Sequence, residues 1–126
     1  MTRVVIQPPE LPAANSTYSQ AIQAGGLVFI SGQLGVNPKT GRLASDDIAE
    51  QAKQAMENLV AILRAAGSSL DKIVSTNIYL TEYGALSQVN QIYGEYFPEN
   101  GPAKTSCGVT ALYGGAKFEI QAITLA

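Results

Sequence analysis

A glutamate near the C-terminus is the first candidate for chemistry. Glu119 lies in the run Lys117 to Leu125, which has the composition of a β-strand. A carboxylate in a strand is out of place unless it is exposed or paired. As a general base, it would accept a proton from water and hold that water in line with an electrophilic carbon. Lys117, two residues away on the same face, offers a second interpretation, in which the two side chains form an ion pair.

A second group of polar side chains follows Pro102 and Ala103. Lys104 supplies a positive charge, and Thr105 and Ser106 supply hydroxyl or backbone contacts for a carboxylate. Taken alone, Lys104 is most simply a solvated surface lysine. No histidine is available to activate Cys107, so we expect a buried structural thiol rather than a nucleophile.

Three further positions lie elsewhere in the chain. Ser31 and Gly32 end an apolar run, and the missing Cβ of glycine lets the backbone approach a ligand closely. An ordinary strand-ending turn explains them nearly as well. Asn90, in a predicted helix, is expected to form local hydrogen bonds rather than to contact a ligand.

The residue types that are missing exclude several mechanisms. The 126 residues include no histidine and one cysteine. This composition excludes Ser-His-Asp and Cys-His catalysis, histidine-ligated zinc, an intrachain disulfide and a CxxC pair. The 8 Lys and Arg are scattered and the net charge is −2, so we do not expect nucleic acid to be the main partner. No apolar run is long enough to span a membrane and no signal peptide is evident, so we expect a cytoplasmic protein with no membrane partner.

Hydrophobic periodicity predicts the elements that must position these residues. Residues 1 to 16 are expected to be irregular, and residues 32 to 41 to form turns. A stripe with a 3.6-residue period predicts a helix that begins after Asp47, with Glu50 completing a capping box, and ends at Gly67. The remaining predicted elements are a hairpin of Tyr18–Ile22 and Leu27–Ser31 joined across Gly25-Gly26, a helix Leu86–Phe97, and strands Ile73–Leu80, Thr105–Leu112 and Lys117–Leu125.

The order β-β-α-β-α-β-β predicts a single α+β domain over residues 1–126. Its expected architecture is a two-layer sandwich, with two helices on one face of a mixed sheet. The other face of the sheet then has nothing from its own chain to cover it. Charged residues make up only 14% of the chain, well below the roughly 25% of an average soluble domain. Together these features predict self-association through the sheet.

Several short segments, in this order and spacing, match a known family. They are Tyr18-Ser19-Gln20-Ala21, Phe29-Ile30-Ser31-Gly32-Gln33, Asn37-Pro38-Lys39-Thr40-Gly41, the helix Gln51 to Gly67, Val89-Asn90-Gln91-Ile92-Tyr93, Pro102-Ala103-Lys104 and Glu119-Ile120-Gln121-Ala122-Ile123. On these segments the chain resembles the RidA/YjgF family over essentially its whole length.

The resemblance implies a chorismate-mutase-like homotrimer whose sheets line a central barrel. A small-molecule site is then expected in each cleft between subunits. The implied activity is the hydrolysis of reactive 2-imino and enamino acids to 2-keto acids and ammonia. No metal or cofactor is implied, because the imine carbon is already electrophilic.

The resemblance also implies roles for individual residues. At the position of Lys104 the deaminating members carry arginine, whose guanidinium holds the substrate carboxylate through two parallel hydrogen bonds. Lysine keeps the charge but loses the fork. The family pattern makes Glu119 the residue that orients the attacking water and Tyr18 the residue that closes the cleft, although Tyr18 also suits a half-buried strand position. The candidate substrate-binding residues are therefore Lys104, Tyr18, Ser31, Gly32, Thr105 and Ser106, with Glu119 as the catalytic candidate.

Two other functions compete with the deaminase. A trimer that binds a small carboxylate without turnover, or that acts as a regulator, stays open because the family arginine is Lys104. Some relatives carry the label endoribonuclease. A net charge of −2, the absence of histidine and only two cations after Lys72 give RNA cleavage little support.

Overall fold

Eight strands and two α-helices build the part of the chain, residues 2–126, that this computed structural model describes. The strands are β1 (Val4–Ile6), β2 (Ala21–Ala24), β3 (Leu27–Leu34), β4 (Val36–Asn37), β5 (Arg42–Leu43), β6 (Ile73–Leu80), β7 (Ala103–Gly108) and β8 (Phe118–Leu125). The helices are α1 (Ile48–Ala65) and α2 (Leu86–Tyr96).

One mixed sheet contains six of these strands, in the order β1-β2-β3-β8-β6-β7. Only β6 and β7 run parallel, and the other neighbours are antiparallel. Along β8 the side chains of Phe118, Ile120 and Ala122 are buried in one core together with residues of both helices, such as Leu59 and Val89. The predicted two-layer α+β sandwich is confirmed.

Local signals in the sequence placed the first helix and the first hairpin correctly. The Asp47 side chain accepts a hydrogen bond from the backbone N–H of Glu50 at 3.2 Å, so the predicted N-cap of α1 is confirmed. The predicted capping box does not form, because the Asp47 N–H donates to the Ser45 hydroxyl at 3.0 Å. Gly67 ends this helix with a φ of 72°. Gly25 and Gly26 have φ values of 61° and 79°, as a tight hairpin between β2 and β3 requires.

Three predictions about residues 1–41 were wrong. Residues 4–6 are not irregular, because they form β1 by pairing with β2. Residues 32–41 are not turns throughout, because β3 continues to Leu34 and β4 pairs with β5 around Asn37. Tyr18 is not in a strand: the Asn15 side chain accepts from the Thr17 N–H at 2.8 Å, and this turn delays β2 until Ala21.

The fourth correction concerns the end of the chain. The strand predicted at Thr105–Leu112 is β7, which begins at Ala103 and ends at Gly108. It pairs only with β6, whose last residue is Leu80, so the strand pairing stops there. The last two strands are consecutive in sequence but are separated in the sheet by β6.

The face of the sheet opposite the helices, which we call the outer face, has an apolar row. The strand registers place Val5, Ile22, Phe29 and Ile123 side by side across β1, β2, β3 and β8. Phe29 is 44% exposed, and Val5 is also exposed.

In residues 2–126 no helix is long and apolar enough to cross a membrane.

Candidate functional site

Glu119 lies on the outer face, where β8 meets the end of β3. Its register partner on β3 is Leu34. A bulge between Ile30 and Gln33 turns Gly32 toward β8. A methyl group added at Gly32 would collide with the Glu119 carboxylate, first with Oε2. The carboxylate therefore lies directly against backbone, and a side chain at Gly32 would displace it.

The Glu119 carboxylate is half-buried and has no cationic partner among residues 2–126. Burial raises the pKa of this carboxyl above its usual range. Lys117 does not pair with it, because the Lys117 ammonium lies 3.6 Å from a carboxylate oxygen of Glu82. Within residues 2–126 no lysine or arginine forms an ion pair with Glu119. The interpretation of Glu119 as half of a structural ion pair with Lys117 is therefore wrong.

Two other predicted site residues lie beside Gly32. The Ser31 hydroxyl donates to the backbone carbonyl of Ser19 at 2.6 Å, and the Ser31 N–H donates to the carbonyl of Gln20 at 2.9 Å. These bonds hold the segment that carries Tyr18. Tyr18 and Gly32 line a cleft of about 440 Å³. The structure thus brings Tyr18, Ser31, Gly32 and Glu119 into one neighbourhood.

Buried amides that the sequence analysis missed support this neighbourhood. The Gln33 amide nitrogen donates to the Gln20 side-chain oxygen at 2.9 Å and to the Ser31 carbonyl at 3.0 Å. The Gln20 amide in turn donates to the carbonyl of Pro12 at 3.3 Å. Glutamines inside apolar runs were the available signal, because a buried amide needs partners.

Helix α1 anchors the loops on the far side of the cleft. The buried Asn58 amide donates to the carbonyls of Leu34 and Val36, at 3.2 and 2.9 Å. Gly35 packs against the backbone of Gln51, where a methyl group would collide. The end of β3 is therefore fixed to the helix layer by side-chain hydrogen bonds and by a close backbone contact.

We expect Asn58→Ala to destabilise the fold by about 2 kcal/mol, because two partly buried carbonyls each lose a hydrogen bond worth about 1 kcal/mol. For a chain of this size the melting temperature should fall by about 8 °C. Lys53→Ala, on the exposed side of the same helix, is the control, because its ion pair with Glu50 is exposed. Thermal unfolding at one protein concentration measures both variants. Equal, small shifts in the two would show that these bonds do not hold the loops.

Lys104 lies on the other side of the sheet, at the edge strand β7. Its ammonium donates to the Asn90 side-chain oxygen and lies 4.6 Å from the centroid of the Tyr93 ring, both on α2. Desolvation lowers the pKa of this amine. In the described chain it has no carboxylate partner. Asn90 therefore bonds to Lys104 rather than to its own helix.

The two hydroxyl candidates on β7, Thr105 and Ser106, lie on opposite faces of the strand. Ser106 is on the same face as Lys104 and is half-buried, whereas Thr105 is exposed and points to the outer face. Cys107 is exposed as well. The prediction of a buried thiol was wrong, because β7 is an edge strand and residues 2–126 leave Thr105 and Cys107 on its outer face exposed.

Within one chain, Lys104 and Glu119 are far apart. Strand β6 separates β7 from β8, so their backbones lie about 10 Å apart across the sheet. Lys104 is level with Thr76 and Glu119 with Tyr79, which adds about 10 Å along the strands. Lys104 also reaches the helix layer, whereas Glu119 is on the outer face. A ligand of only a few heavy atoms therefore does not contact both groups of a single chain.

Comparisons with known proteins agree on one family. The family model described as Endoribonuclease L-PSP, the RidA/YjgF family, matches residues 9–126. The human 2-iminobutanoate/2-iminopropanoate deaminase is 39% identical over 125 residues, which cover 99% of this chain and 91% of the human protein.

Solved structures give the same answer. The Rid family protein YyfA of Yersinia pestis is 41% identical, with a TM-score of 0.94 over 99% of this chain and 100% of that one. TdcF of E. coli, crystallised with bound serine, is 31% identical, with a TM-score of 0.91 over 98% of each chain.

Proposed function

The chain belongs to the RidA/YjgF family, and we propose that it hydrolyses reactive 2-imino acids, with their enamine tautomers, to 2-keto acids and ammonia. The observation that carries this proposal is the Glu119 carboxylate, which is half-buried, forms no ion pair within residues 2–126 and lies against the Gly32 backbone. The name and the 39% identity of the human deaminase support it.

Glu119 acts as the general base in this reaction. Its raised pKa makes the carboxylate a stronger proton acceptor, provided that it is ionised at the working pH. It takes a proton from water while the water oxygen bonds to the imine carbon, and it passes this proton to the imine nitrogen, which gives a carbinolamine. The carbinolamine hydroxyl then gives up its proton, which Glu119 transfers to the amino nitrogen; the C=O bond forms as the C–N bond breaks, and ammonia leaves with the electron pair of that bond. The net reaction converts an imine and water into a keto acid and ammonia.

Lys104 holds the substrate carboxylate. Its ammonium is already fixed by Asn90 and the Tyr93 ring, and no carboxylate of residues 2–126 competes for it. Thr105 and Ser106 supply further polar contacts nearby. Because Lys104 and Glu119 of one chain are far apart, one copy supplies Lys104 and a neighbouring copy supplies Glu119, Gly32 and Tyr18.

We expect a homotrimer at micromolar concentration, with a molar mass three times the 13.2 kDa of one chain. The apolar row on the outer face supplies the contact surface. Phe29→Glu, which places a charge in this row, should give monomers in light scattering. Ala65→Glu, which adds the same charge at the exposed end of α1, should leave the trimer intact. A monomeric wild type, or a trimeric Phe29→Glu, contradicts this assembly.

The deaminase activity is tested by adding the purified protein to a threonine dehydratase reaction in which semicarbazide traps the 2-imino acid. Faster hydrolysis leaves less imine to be trapped, so the rate of semicarbazone formation should fall with protein concentration. Unchanged trapping overturns the deaminase function. If small 2-keto acids nevertheless raise the melting temperature, the protein is a binding module for small carboxylates, the alternative that the missing guanidinium fork favours.

A further inference from the structure

The cleft that begins at Gly32 extends well beyond the groups that would do the chemistry. Its apolar walls come from the N-terminal segment, the ends of β3 and β4, and the loop before β8; they include Leu11, Pro12, Tyr18, Leu34, Val36 and Tyr113. Among the residues of the described chain that line it there is no Asp, Glu, Lys or Arg. The cleft therefore offers no charged partner to a bound group, and an uncharged group suits it.

The amide side chains in the cleft wall already donate hydrogen bonds to protein partners. The amide nitrogens of Gln33 and Gln20 donate to Gln20 and to Pro12, respectively, and that of Asn58 donates to two backbone carbonyls. A polar occupant would have to compete with these bonds, whereas an apolar one would not. The cleft wall therefore favours an apolar occupant, such as a hydrocarbon side chain, over a polar one.

The volume of the cleft exceeds what the smallest imino acids require. A methyl or ethyl side chain occupies the space of one or two water molecules, about 30 Å³ each. A cleft of about 440 Å³ has room for a branched aliphatic or an aromatic side chain. Gly32 belongs to its wall and also contacts Glu119, so one end of the cleft lies next to the proposed reaction centre.

We propose that this cleft is the side-chain subsite of the enzyme and selects 2-imino acids with branched aliphatic or aromatic side chains, with Tyr113 as the wall that determines this selectivity. The proposal rests on the deaminase function and adds the substrate class. Tyr113 is 86% exposed and separates the cleft from a neighbouring groove that contains Arg42. Gly114 and Gly115, with φ values of 67° and 76°, form the turn that presents its ring.

The test compares kcat/KM for the imines that an amino-acid oxidase forms from leucine and from alanine, with catalase present to remove peroxide. We expect a wild-type preference of at least about tenfold for the leucine-derived imine, because three more carbons are buried. Tyr113→Ala should reduce this preference to below about threefold. The loss should fall mainly on kcat/KM for the leucine-derived imine, and residual turnover of the alanine-derived imine then shows that the variant is folded. Tyr83→Ala, at a half-exposed tyrosine outside the cleft, is the matched control and should keep the wild-type preference.

The outcomes separate the two proposals. Turnover of the alanine-derived imine with no preference for the larger one overturns the side-chain subsite and leaves the deaminase function standing. Absence of turnover on both imines overturns both proposals. If Tyr113→Ala loses the trimer mass and keeps the preference, Tyr113 belongs to a subunit contact and the subsite assignment is overturned.

Discussion

Replacing Glu119 with glutamine should lower kcat/KM on 2-imino acids by about 100-fold or more, while the fold survives. Glutamine has the size of glutamate but accepts no proton from water, and general-base catalysis typically contributes 10²–10⁴-fold. Because Glu119 forms no ion pair in the described chain, the substitution breaks none. It also removes a half-buried ionisable group, so the melting temperature should not fall.

The pH profile distinguishes a general base from a structural carboxylate. Burial raises the pKa of Glu119 above the ordinary glutamate value of about 4.3, and only the ionised form accepts a proton. The enzyme-dependent rate should therefore fall as the pH drops through this raised pKa. In Glu119→Gln that acidic limb should disappear along with most of the rate.

Glu82→Gln is the matched control for this experiment. It makes the same chemical change at an exposed carboxylate whose partner is Lys117, so its rate should stay within about twofold of the wild type. If Glu119→Gln and Glu82→Gln have equal rates, close to the wild type, Glu119 is not the base.

The elements that the sequence predicted correctly depend on neighbours in the chain. Asp47 caps α1 through an N–H three residues away, and the positive φ values of Gly25 and Gly26 follow from the turn itself. The short strand β1 was missed because three residues give little periodicity, and β1 forms only by pairing with β2. Whether residues 4–6 form a strand therefore depends on the neighbouring strand β2 and not on their own composition.

The place of β7 in the sheet could not be predicted from its own residues, for a related reason. A run of residues predicts a strand but does not state which strand lies beside it. Consecutive strands are often neighbours, yet β6 lies between β7 and β8. This order leaves β7 at the edge, which exposes Cys107. A buried thiol was expected because no histidine could activate Cys107. That prediction failed because burial of the side chain depends on sheet order, which the segment itself does not encode.

The candidate site was predicted as a set of residues but not as an arrangement. Along β8, Glu119 points away from the buried Phe118 and Ile120, as the alternation of side chains in a strand requires. The bulge that brings Gly32 against Glu119 depends on the register of β3 with β8, which no single segment encodes. For the same reason, the sequence did not show that Lys104 and Glu119 lie on different faces of the sheet.

The second large effect concerns Lys104. Lys104→Ala should abolish turnover and also the protection that small 2-keto acids give against thermal unfolding, because the carboxylate loses its cationic partner. Lys72→Ala, at an exposed lysine outside the candidate site, is the matched control and should leave both unchanged. If small 2-keto acids stabilise all three proteins equally, Lys104 is a surface residue.

Lys104→Arg should raise kcat/KM about fivefold, since one additional hydrogen bond to the carboxylate is worth about 1 kcal/mol. Asn90 accepts a hydrogen bond from the lysine ammonium and would occupy one N–H of the guanidinium, which leaves four for the substrate. The guanidinium is bulkier than the ammonium, so a cleft packed tightly around lysine would reduce this gain. No turnover in either the wild type or Lys104→Arg, combined with stabilisation that Lys104→Ala loses, would identify a binding module.

The alkaline limb of KM distinguishes a ligand-binding charge from a packing residue at this position. Desolvation lowers the pKa of Lys104, so its positive charge is lost at a lower pH than that of an ordinary lysine. KM for the wild type should therefore rise as the pH rises through this lowered pKa. Arginine stays charged throughout this range, so Lys104→Arg should keep a constant KM there. A residue that only packs against Tyr93 would give both enzymes the same KM profile, and that result would remove Lys104 from the site.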